Sequence, residues 1–390
     1  MNNQFNITKL KDTVQDCNIN FLLGSGMSMP YLSTLGKIEQ FLTELAEKKE
    51  KAEITNDQEK IIRVSLYKTF FDGVISKNLE ILKDSTDASG VLENYKDFLK
   101  ILNSILLNRK STILNKQVNL FTTNVDVFLE KSLENTNVEC NDGFSGRFEP
   151  LFNLTNFKKS FFKTSLHYDN ISELPVFNLM KMHGSLTWSK KEDERIALSL
   201  DLGLVKKIKS KTISEDKLIE IDDKKTIDDL ITATNGKTPD DSTDGFIAEY
   251  EKLSIVNPTK EKFRETVLNR NYYELLRIYS NELEKENTIL FVVGFSFADE
   301  HIRDVTIRVA NSNPTLKIYI FSHSSDPDEG MQKIKEASIN SNVEIVTPSQ
   351  KENGEGKVED EFKYNLETIN SRIFGELLKK ISEKEETKKS

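Results

Sequence analysis

Close to its N-terminus the chain carries the run Phe21-Leu22-Leu23-Gly24-Ser25-Gly26-Met27-Ser28. The apolar residues at 18–23 predict a buried parallel strand, and the glycines after them predict a tight turn. Apolar residues at helical spacing over 35–48 predict a helix after the turn. A glycine turn between a strand and a helix lets backbone N–H groups approach a phosphate closely. The run therefore favours a phosphate-binding α/β domain, with an ordinary packing turn as the alternative.

The rest of the chain alternates between apolar, strand-like runs and segments with helical spacing. Strands are predicted at 118–122, 176–182, 288–293, 316–321 and 343–346. Helices are predicted at 125–133, from a cap at Asp299 to about residue 310, and at 361–381. Strands that alternate with helices predict an α/β fold with a Rossmann-like, doubly wound parallel sheet.

Three stretches of sequence, 1–45, 113–200 and 251–380, are expected to form the core of this fold. Segment 46–112 has helical faces and no strand-like alternation, so we expect a helical insertion there. Segment 201–250 is rich in Lys, Asp and Thr and contains the turn signal Asn235-Gly236, so we expect a mobile charged insertion. The charged segment 381–390 predicts a disordered tail.

Composition limits the classes of function that this chain can have. The formal net charge of −9 argues against a broad positive field for duplex DNA. The two cysteines, Cys17 and Cys140, cannot form a four-thiolate zinc site, so no zinc is expected. Low cysteine content, an N-terminus unlike a signal peptide and the lack of a membrane-length apolar run favour a cytoplasmic protein without a membrane partner.

Polar residues follow the predicted strand at 118–122. Thr123, Asn124 and Asp126 stand there, at the edge of the sheet where open α/β proteins bind their ligands. Asn124 can orient a water or a ribose hydroxyl, and Asp126 can bind a ribose hydroxyl. The alternative is that all three only cap the helix that follows.

Two later strand ends carry further candidates. His183 lies just past a strand and beside Gly184, and histidine is the side chain best suited to proton transfer near neutral pH. Gly294 and Ser296 follow the most hydrophobic strand and can contact a ribose and a phosphate. The alternative for this last turn is a capped helix start, with Ser296 or Asp299 as the cap.

Taken in chain order, these motifs resemble those of the sirtuin family. The matching residues are Gly24-Ser25-Gly26 with Ser28, Thr123-Asn124-Val125-Asp126, His183-Gly184 and Gly294-Phe295-Ser296. They are similar to the family's Gly-Ala-Gly-x-Ser phosphate loop, its Thr-Gln-Asn-x-Asp motif, its catalytic His-Gly pair and its Gly-Thr-Ser loop. The resemblance covers most of residues 18–325 and implies NAD+ as the ligand.

The departures from this family point to one branch of it. Deacetylating sirtuins carry a zinc ribbon of four cysteines, which this chain cannot build. The helical segment, Asn141-Asp142-Gly143-Phe144 and the stretch 256–263 resemble instead the bacterial sirtuin-like proteins of antiviral defence. This resemblance implies hydrolysis of NAD+ to ADP-ribose and nicotinamide, which depletes NAD+ in infected cells. It also implies a homo-oligomer with a HerA-type hexameric ATPase as partner. The chain would then contact nucleic acid only indirectly, through this partner.

The resemblance assigns a role to each candidate residue. Asn124 would position the water or the ribose, and His183 would accept a proton as the water attacks. The residues that would hold NAD+, here the substrate, are Gly24, Ser25, Gly26, Ser28, Thr123, Asp126, Gly294, Ser296 and Asp299. Two alternatives remain open: a sensor that binds NAD or ADP-ribose without cleaving it, and a nuclease subunit of a defence complex. A deacylase is disfavoured because the zinc ribbon is missing.

Overall fold

A seven-stranded parallel sheet forms the centre of the protein. The computed structural model describes residues 5–34, 36–83, 85–111, 113–256, 270–352 and 358–386. In spatial order the strands are Val343–Val346 (β13), Lys317–Phe321 (β12), Thr288–Val293 (β11), Asn18–Leu23 (β1), Gln117–Thr122 (β2), Val176–Lys181 (β8) and Glu139–Asn141 (β3). All neighbouring strands in this sheet are parallel, which confirms the predicted Rossmann-like, doubly wound sheet.

The order of the strands reverses next to β1. The chain builds from β1 to β2 and β8 on one side, and then returns to add β11, β12 and β13 on the other side. Leu23 is in register with Val293 of β11 and with Thr122 of β2, and Thr122 is in register with Lys181 of β8. The loops after these four strands therefore leave the sheet at the same edge, where ligands of open α/β sheets bind.

Helices cover both faces of the sheet. Those described are Ile7–Asp16 (α1), Ile38–Glu50 (α2), Asn56–Phe70 (α3), Asn78–Leu82 (α4), Thr86–Leu107 (α5), Phe128–Thr136 (α6), Gly203–Lys209 (α7), Ile227–Ala233 (α8), Asp241–Tyr250 (α9), Arg270–Leu283 (α10), Glu300–Ser312 (α11), Glu329–Ala337 (α12), Leu366–Ile369 (α13) and Gly375–Glu386 (α14). On one face Phe21 of β1 packs edge-on against Phe98 of α5, with 5.2 Å between ring centroids. On the opposite face Phe121 of β2 packs against Tyr279 of α10, at 5.1 Å. No helix in the described ranges combines the length and apolar character needed to cross a membrane.

Three asparagines form a buried row across the sheet on the Phe121–Tyr279 side. Asn20 of β1, Asn119 of β2 and Asn178 of β8 are in register, one beside the next. Asn119 donates a hydrogen bond from Nδ2 to Asn20 Oδ1 at 2.8 Å, and Asn178 donates from Nδ2 to Asn119 Oδ1 at 3.0 Å. The row links the central strands through their side chains as well as their backbones.

Segment 201–250 differs from the expected charged loop because it contains the helices α7, α8 and α9. Apolar side chains spaced between the charged residues are buried there, including Ile208, Leu230, Phe246 and Tyr250. Tyr250 stacks on Tyr67 of α3, with 4.2 Å between ring centroids. These short apolar faces pack against the helices between β1 and β2. They were not predicted because charged residues dominate the composition of the segment.

The ends of three predicted segments also differ. The helix expected at 35–48 begins at Ile38 and ends at Glu50, and Leu35 lies outside the described residues. The helix expected at 361–381 begins only at Leu366, because Asn365 and Thr368 form a capping box there. It continues through a π-helical turn at Asn370–Phe374 into α14, so the expected tail is helical up to Glu386. Residues 387–390 lie outside the described residues.

Smaller sheets stand outside the central one. Phe144–Ser145 (β4), Leu151–Phe152 (β5), Ile196–Leu198 (β10) and Trp188–Lys190 (β9) form a four-stranded antiparallel sheet. Phe161–Thr164 (β6) pairs with Ile171–Leu174 (β7), and Gln350–Glu352 (β14) pairs with Val358–Asp360 (β15). The motif at 141–144 therefore links the central sheet to the four-stranded sheet. Of the stretch 256–263, only Val256 is among the described residues.

Candidate functional site

The glycine turns after β1 and β11 pack directly against each other. The Gly26 N–H donates a hydrogen bond to the Gly294 carbonyl at 2.9 Å. A Cβ atom at Gly24 would lie 2.4 Å from that same carbonyl oxygen. Gly294 has a φ of +64°, and a Cβ there would lie 2.6 Å from the Met27 nitrogen. Glycine is thus required at these positions because the two backbones touch, which is a packing reason beside the predicted phosphate-binding one.

The turn itself forms a 3₁₀ helix, Ser25–Ser28, which lies before the α-helix that the sequence predicts. The first α-helix after β1 begins only at Ile38. A phosphate at this turn would therefore not meet the N-terminus of a long helix. Ser25 is exposed and Gly26 is partly exposed, so the backbone of the turn itself is the accessible part.

Asn124 links the end of β2 to the turn after β1. Its Nδ2 donates a hydrogen bond to the Gly24 carbonyl at 3.0 Å, and its backbone N–H donates to Thr122 Oγ1 at 3.0 Å. The Thr122 hydroxyl in turn donates to the Leu23 carbonyl at 2.9 Å. Asn124 is buried, with 6% of its surface exposed, so these contacts fix the amide at the edge of the sheet. Thr123 beside it is partly exposed.

Ser28 and Asp126 contact each other in a buried network. Ser28 Oγ donates a hydrogen bond to Asp126 Oδ2 at 2.8 Å, and the backbone N–H of Phe128 donates to Asp126 Oδ1 at 3.1 Å. Burial raises the pKa of Asp126, while the nearby Lys181 ammonium partly opposes that rise. Both carboxylate oxygens of Asp126 thus have protein partners, one of which is at the start of α6.

Tyr95 belongs to this network, although the sequence marks it only as part of a helical face. Its hydroxyl lies 2.9 Å from Ser28 Oγ. Because the single Ser28 hydroxyl hydrogen points to Asp126, Tyr95 is the donor in this contact. The Tyr95 ring is fully buried and stacks on Phe128, with 5.2 Å between centroids and 3° between planes. Burial also raises the pKa of the Tyr95 hydroxyl well above its usual range.

His183 lies at the end of β8 and faces an acidic side chain from another loop. Its Nε2 is 3.3 Å from Asp299 Oδ2, and the two side chains are 14% and 7% exposed. The His183 carbonyl accepts a hydrogen bond from the Val256 N–H at 2.9 Å. Gly184 has a φ of +78°, and a Cβ there would lie 2.1 Å from the Ser254 carbonyl oxygen. The glycine beside the histidine is therefore required by the segment that crosses it.

Asp299 caps the helix that follows the second glycine turn, as the sequence predicts. Its Oδ1 accepts hydrogen bonds from the His301 and Ile302 N–H groups at 3.1 and 3.2 Å. The loop before it contains Phe297, a buried residue with a φ of +59°, a strained backbone region for an aromatic side chain. Ser296 is partly exposed in the same loop.

The strand-end loops bring the candidate residues to one edge of the sheet, in two parts. One part contains Gly24, Gly26, Ser28, Asn124 and Asp126. Asn124 Nδ2 contacts both the Gly24 carbonyl and, at 3.5 Å, Ser28 Oγ, which donates to Asp126, while Gly26 bonds to Gly294. The second part is the contact between His183 and Asp299, and the loop of Gly294 joins the two parts. Ser25, Thr123 and Ser296 have exposed surface at this edge. Within the described part of the chain, no group of three or more His, Cys, Asp and Glu side chains is placed to hold a metal ion.

A large cavity lies beside this site rather than in it. It has a volume of about 1570 Å³, and its lining includes Phe152, Trp188, Tyr272 and Arg277. Neither Asn124 nor His183 lines it. The cavity is bounded by the four-stranded sheet and by α10.

Comparisons with known proteins find similarity among solved structures. No family model matches this sequence, and no curated protein matches it. Among solved structures, the chain is similar to one described as "Structural Basis for the Mechanism and Regulation of Sir2 Enzymes", with a TM-score of 0.39 and 10% sequence identity. That similarity covers 97% of this chain and 98% of the other. At this identity and score it assigns no activity to the residues described above.

Proposed function

We propose that the protein is a sirtuin-like NAD+ hydrolase that cleaves NAD+ to ADP-ribose and nicotinamide, with Asn124 and His183 as its catalytic residues. One observation carries the proposal. Asn124 and His183 follow the neighbouring strands β2 and β8, at the same sheet edge as the glycine turns after β1 and β11. This edge contains the switch point of the sheet, where dinucleotides bind in open α/β folds. The order of the four motifs, which resembles that of sirtuins, gives the ligand as NAD+.

The chemistry of this reaction suits the groups that are present. Nicotinamide leaves NAD+ from a cationic state as a neutral molecule, so its departure needs no general acid. The site has to orient the ribose and a water and to exclude bulk solvent. Asn124 is buried and fixed by the Gly24 carbonyl, which suits an orienting role. His183 keeps some exposed surface and can accept the proton of the attacking water.

The contacts distinguish two groups among seven of the nine proposed NAD+-binding residues. Ser28 and Asp126 bond to each other and hold the first turn beside Asn124. In our proposal they shape the site, and any contact with the ribose would add to that role. The residues with surface free to meet a dinucleotide are Ser25, Gly26, Thr123, Gly294 and Ser296.

The biological role that we propose is antiviral defence through depletion of NAD+. An enzyme that destroys NAD+ has to be inactive in a healthy cell, so control by assembly is expected. We propose a homo-oligomer that is regulated by a HerA-type hexameric ATPase. The support for these partners is the resemblance of the sequence motifs to the bacterial sirtuin-like proteins.

A nicotinamide-release assay on the purified chain, with and without a HerA-type ATPase, tests the proposal. Asn124→Ala and His183→Ala should each lower the rate of NAD+ cleavage by about 100-fold or more. His323→Ala, which alters an exposed histidine, is the matched control and should cleave NAD+ at the wild-type rate. Intact NAD+ under all conditions, or wild-type rates in both site variants, would refute NAD+ hydrolysis.

A second candidate is a sensor that binds NAD+ or ADP-ribose without cleaving it. The mutual hydrogen bonds of Ser28, Asp126 and Asn124 favour it, because they make a rigid site without needing a reaction. Calorimetric titration of the wild-type chain with both compounds distinguishes the candidates. Tight binding without nicotinamide release would establish the sensor.

A further inference from the structure

We propose that Asp299 is a positioning residue for His183, and that its carboxylate keeps the imidazole in the tautomer with the proton on Nε2 and the basic lone pair on Nδ1. This inference rests on the proposed function, in which His183 accepts a proton. It changes the role expected for Asp299, which the sequence motifs place among the residues that hold NAD+. It also names the atom of His183 that receives the proton.

The direction of the Asp299 carboxylate is fixed by the helix that it caps. Oδ1 is engaged by the N–H groups of His301 and Ile302 at the start of α11. The other oxygen, Oδ2, is then directed at His183 Nε2, 3.3 Å away. Because the cap anchors one oxygen, the second can change its position little without breaking the cap.

The histidine is held from its backbone side as well. Its carbonyl accepts the Val256 N–H, and Gly184 next to it forms a bridge with Ile255. The ring therefore projects from a backbone that Ile255 and Val256 hold in place. The 7% exposure of the Asp299 side chain leaves little water to compete with the imidazole for the carboxylate.

The chemistry of the two groups determines the tautomer. An ionised carboxylate only accepts hydrogen bonds, so an imidazole nitrogen facing it is favoured as the N–H donor. In neutral imidazole the other nitrogen, Nδ1, then carries the lone pair. During hydrolysis the water oxygen forms a bond to the anomeric carbon of the ribose, and the bond to nicotinamide breaks with its electron pair. The proton lost by the water goes to Nδ1, and the Asp299 carboxylate stabilises the resulting imidazolium.

Nitrogen NMR on the full chain tests the tautomer without any need for turnover. Long-range ¹⁵N–¹H spectra at mildly alkaline pH distinguish Nε2–H from Nδ1–H imidazole, and His183→Gln identifies the signals of His183. The wild-type spectrum should show the Nε2–H form. In Asp299→Asn the amide can still cap through its oxygen but presents N–H groups to the ring, so the signals should shift towards the Nδ1–H form.

Turnover of the same variants provides the second readout. Asp299→Asn should lower kcat for NAD+ cleavage by about 10- to 100-fold, with little change in KM. Asp299→Ser keeps a cap but no longer reaches the ring, and it should lose the tautomer preference in the same spectra. Asp240→Asn is the matched control, because Asp240 caps α9 through the Ser242 and Thr243 N–H groups. It should change neither the spectrum nor kcat.

The NMR spectra test the positioning role of Asp299, and the turnover assay tests the proposed NAD+ hydrolysis. A wild-type Nδ1–H form, or an unchanged spectrum in Asp299→Asn, overturns the positioning role whether or not the protein cleaves NAD+. If an Asp299 variant does not fold, the wild-type spectrum still shows which nitrogen of His183 carries the proton. An Nε2–H spectrum that depends on Asp299, found in a protein that leaves NAD+ intact, supports the positioning role and overturns the proposed hydrolase.

Discussion

The hydroxyl of Tyr95 lies 2.9 Å from Ser28 Oγ, so a helix from the segment between α2 and β2 contacts the turn after the first strand. The two residues are 67 positions apart in sequence. The helical segment is therefore attached to the candidate site through a hydrogen bond, in addition to its apolar packing. This contact also connects the segment to Asp126, the other partner of Ser28.

Tyr95→Phe should lower the rate of NAD+ cleavage and have only a small effect on the stability of the fold. Loss of one buried hydrogen bond should lower the free energy of unfolding by about 1 kcal/mol, measured by urea denaturation. Since Ser28 would lose a partner, NAD+ cleavage should fall as well. Tyr279→Phe is the matched control, because Tyr279 is also fully buried and its hydroxyl lies 2.8 Å from Thr306 Oγ1 on the opposite face. Equal effects of both variants on turnover would argue against a role for Tyr95 in the site.

Gly294→Ala should disrupt the contact between the two glycine turns. The new Cβ would lie 2.6 Å from the Met27 nitrogen, on a backbone with a φ of +64°. We expect a loss of roughly 2 kcal/mol or more in the free energy of unfolding, from backbone strain and overlap together. Gly236→Ala separates the two causes, since Gly236 has a φ of +77° but nothing within 4 Å of its added Cβ. If urea denaturation gives the same loss for both variants, the contact between the turns contributes nothing to the free energy of unfolding.

Asp126→Asn should change how stability depends on pH. Burial raises the pKa of Asp126 above its ordinary value of 3.8. Between 3.8 and the raised pKa the native state binds more protons than the unfolded state at this residue, so the free energy of unfolding falls as pH rises. Asparagine has no such proton, and the fall across this window should be smaller in Asp126→Asn.

Urea denaturation of wild type and variant at several pH values above 3.8 checks this expectation. Asp240→Asn is an informative comparison, because hydrogen bonds from Ser242 and Thr243 lower the pKa of Asp240. The Asp240 carboxylate makes the free energy of unfolding rise with pH below 3.8, so its removal should flatten that rise in measurements extended below 3.8. A steeper fall in Asp126→Asn than in wild type would contradict the burial of an ionised group at this position.

Asn119→Ala should reduce stability and leave the candidate site intact. Asn119 donates to Asn20 and accepts from Asn178, so its removal leaves two buried amides with unpaired groups. The expected loss is about 1–3 kcal/mol in the free energy of unfolding. Asn235→Ala alters an exposed asparagine and should be close to neutral. A large drop in NAD+ cleavage by folded Asn119→Ala would show that the row and the site are coupled.

The sequence predicts six of the seven strands of the central sheet, all except β3, because buried parallel strands are predominantly apolar. The bounds predicted for β1, β11 and β13 agree with those of the structure. Each of these runs lies between turn-forming or polar residues, so both ends are visible in the sequence. The cap at Asp299 is confirmed for a similar reason, since the signal for it is local.

What could not be predicted depends on contacts between distant residues. Nothing near Tyr95 in the sequence indicates that its hydroxyl reaches Ser28, and nothing near Asp299 indicates that it faces His183. The helices of 201–250 were hidden because their apolar faces are short and are completed by α2 and α3. The roles of Asn124 and His183 in NAD+ cleavage remain predictions that the assays above will decide.

The asparagine row has a consequence for the edge of the sheet at which the candidate site lies. A slip of one residue in any of the three strands would point its amide to the other face and leave the neighbouring amides facing apolar groups. The row therefore selects a single alignment of β1, β2 and β8 while the sheet assembles. Three residues beyond the row, those strands end at Leu23, Thr122 and Lys181. The amides in the middle of the three strands thus fix the level at which the chain leaves the sheet towards Gly24, Asn124 and His183.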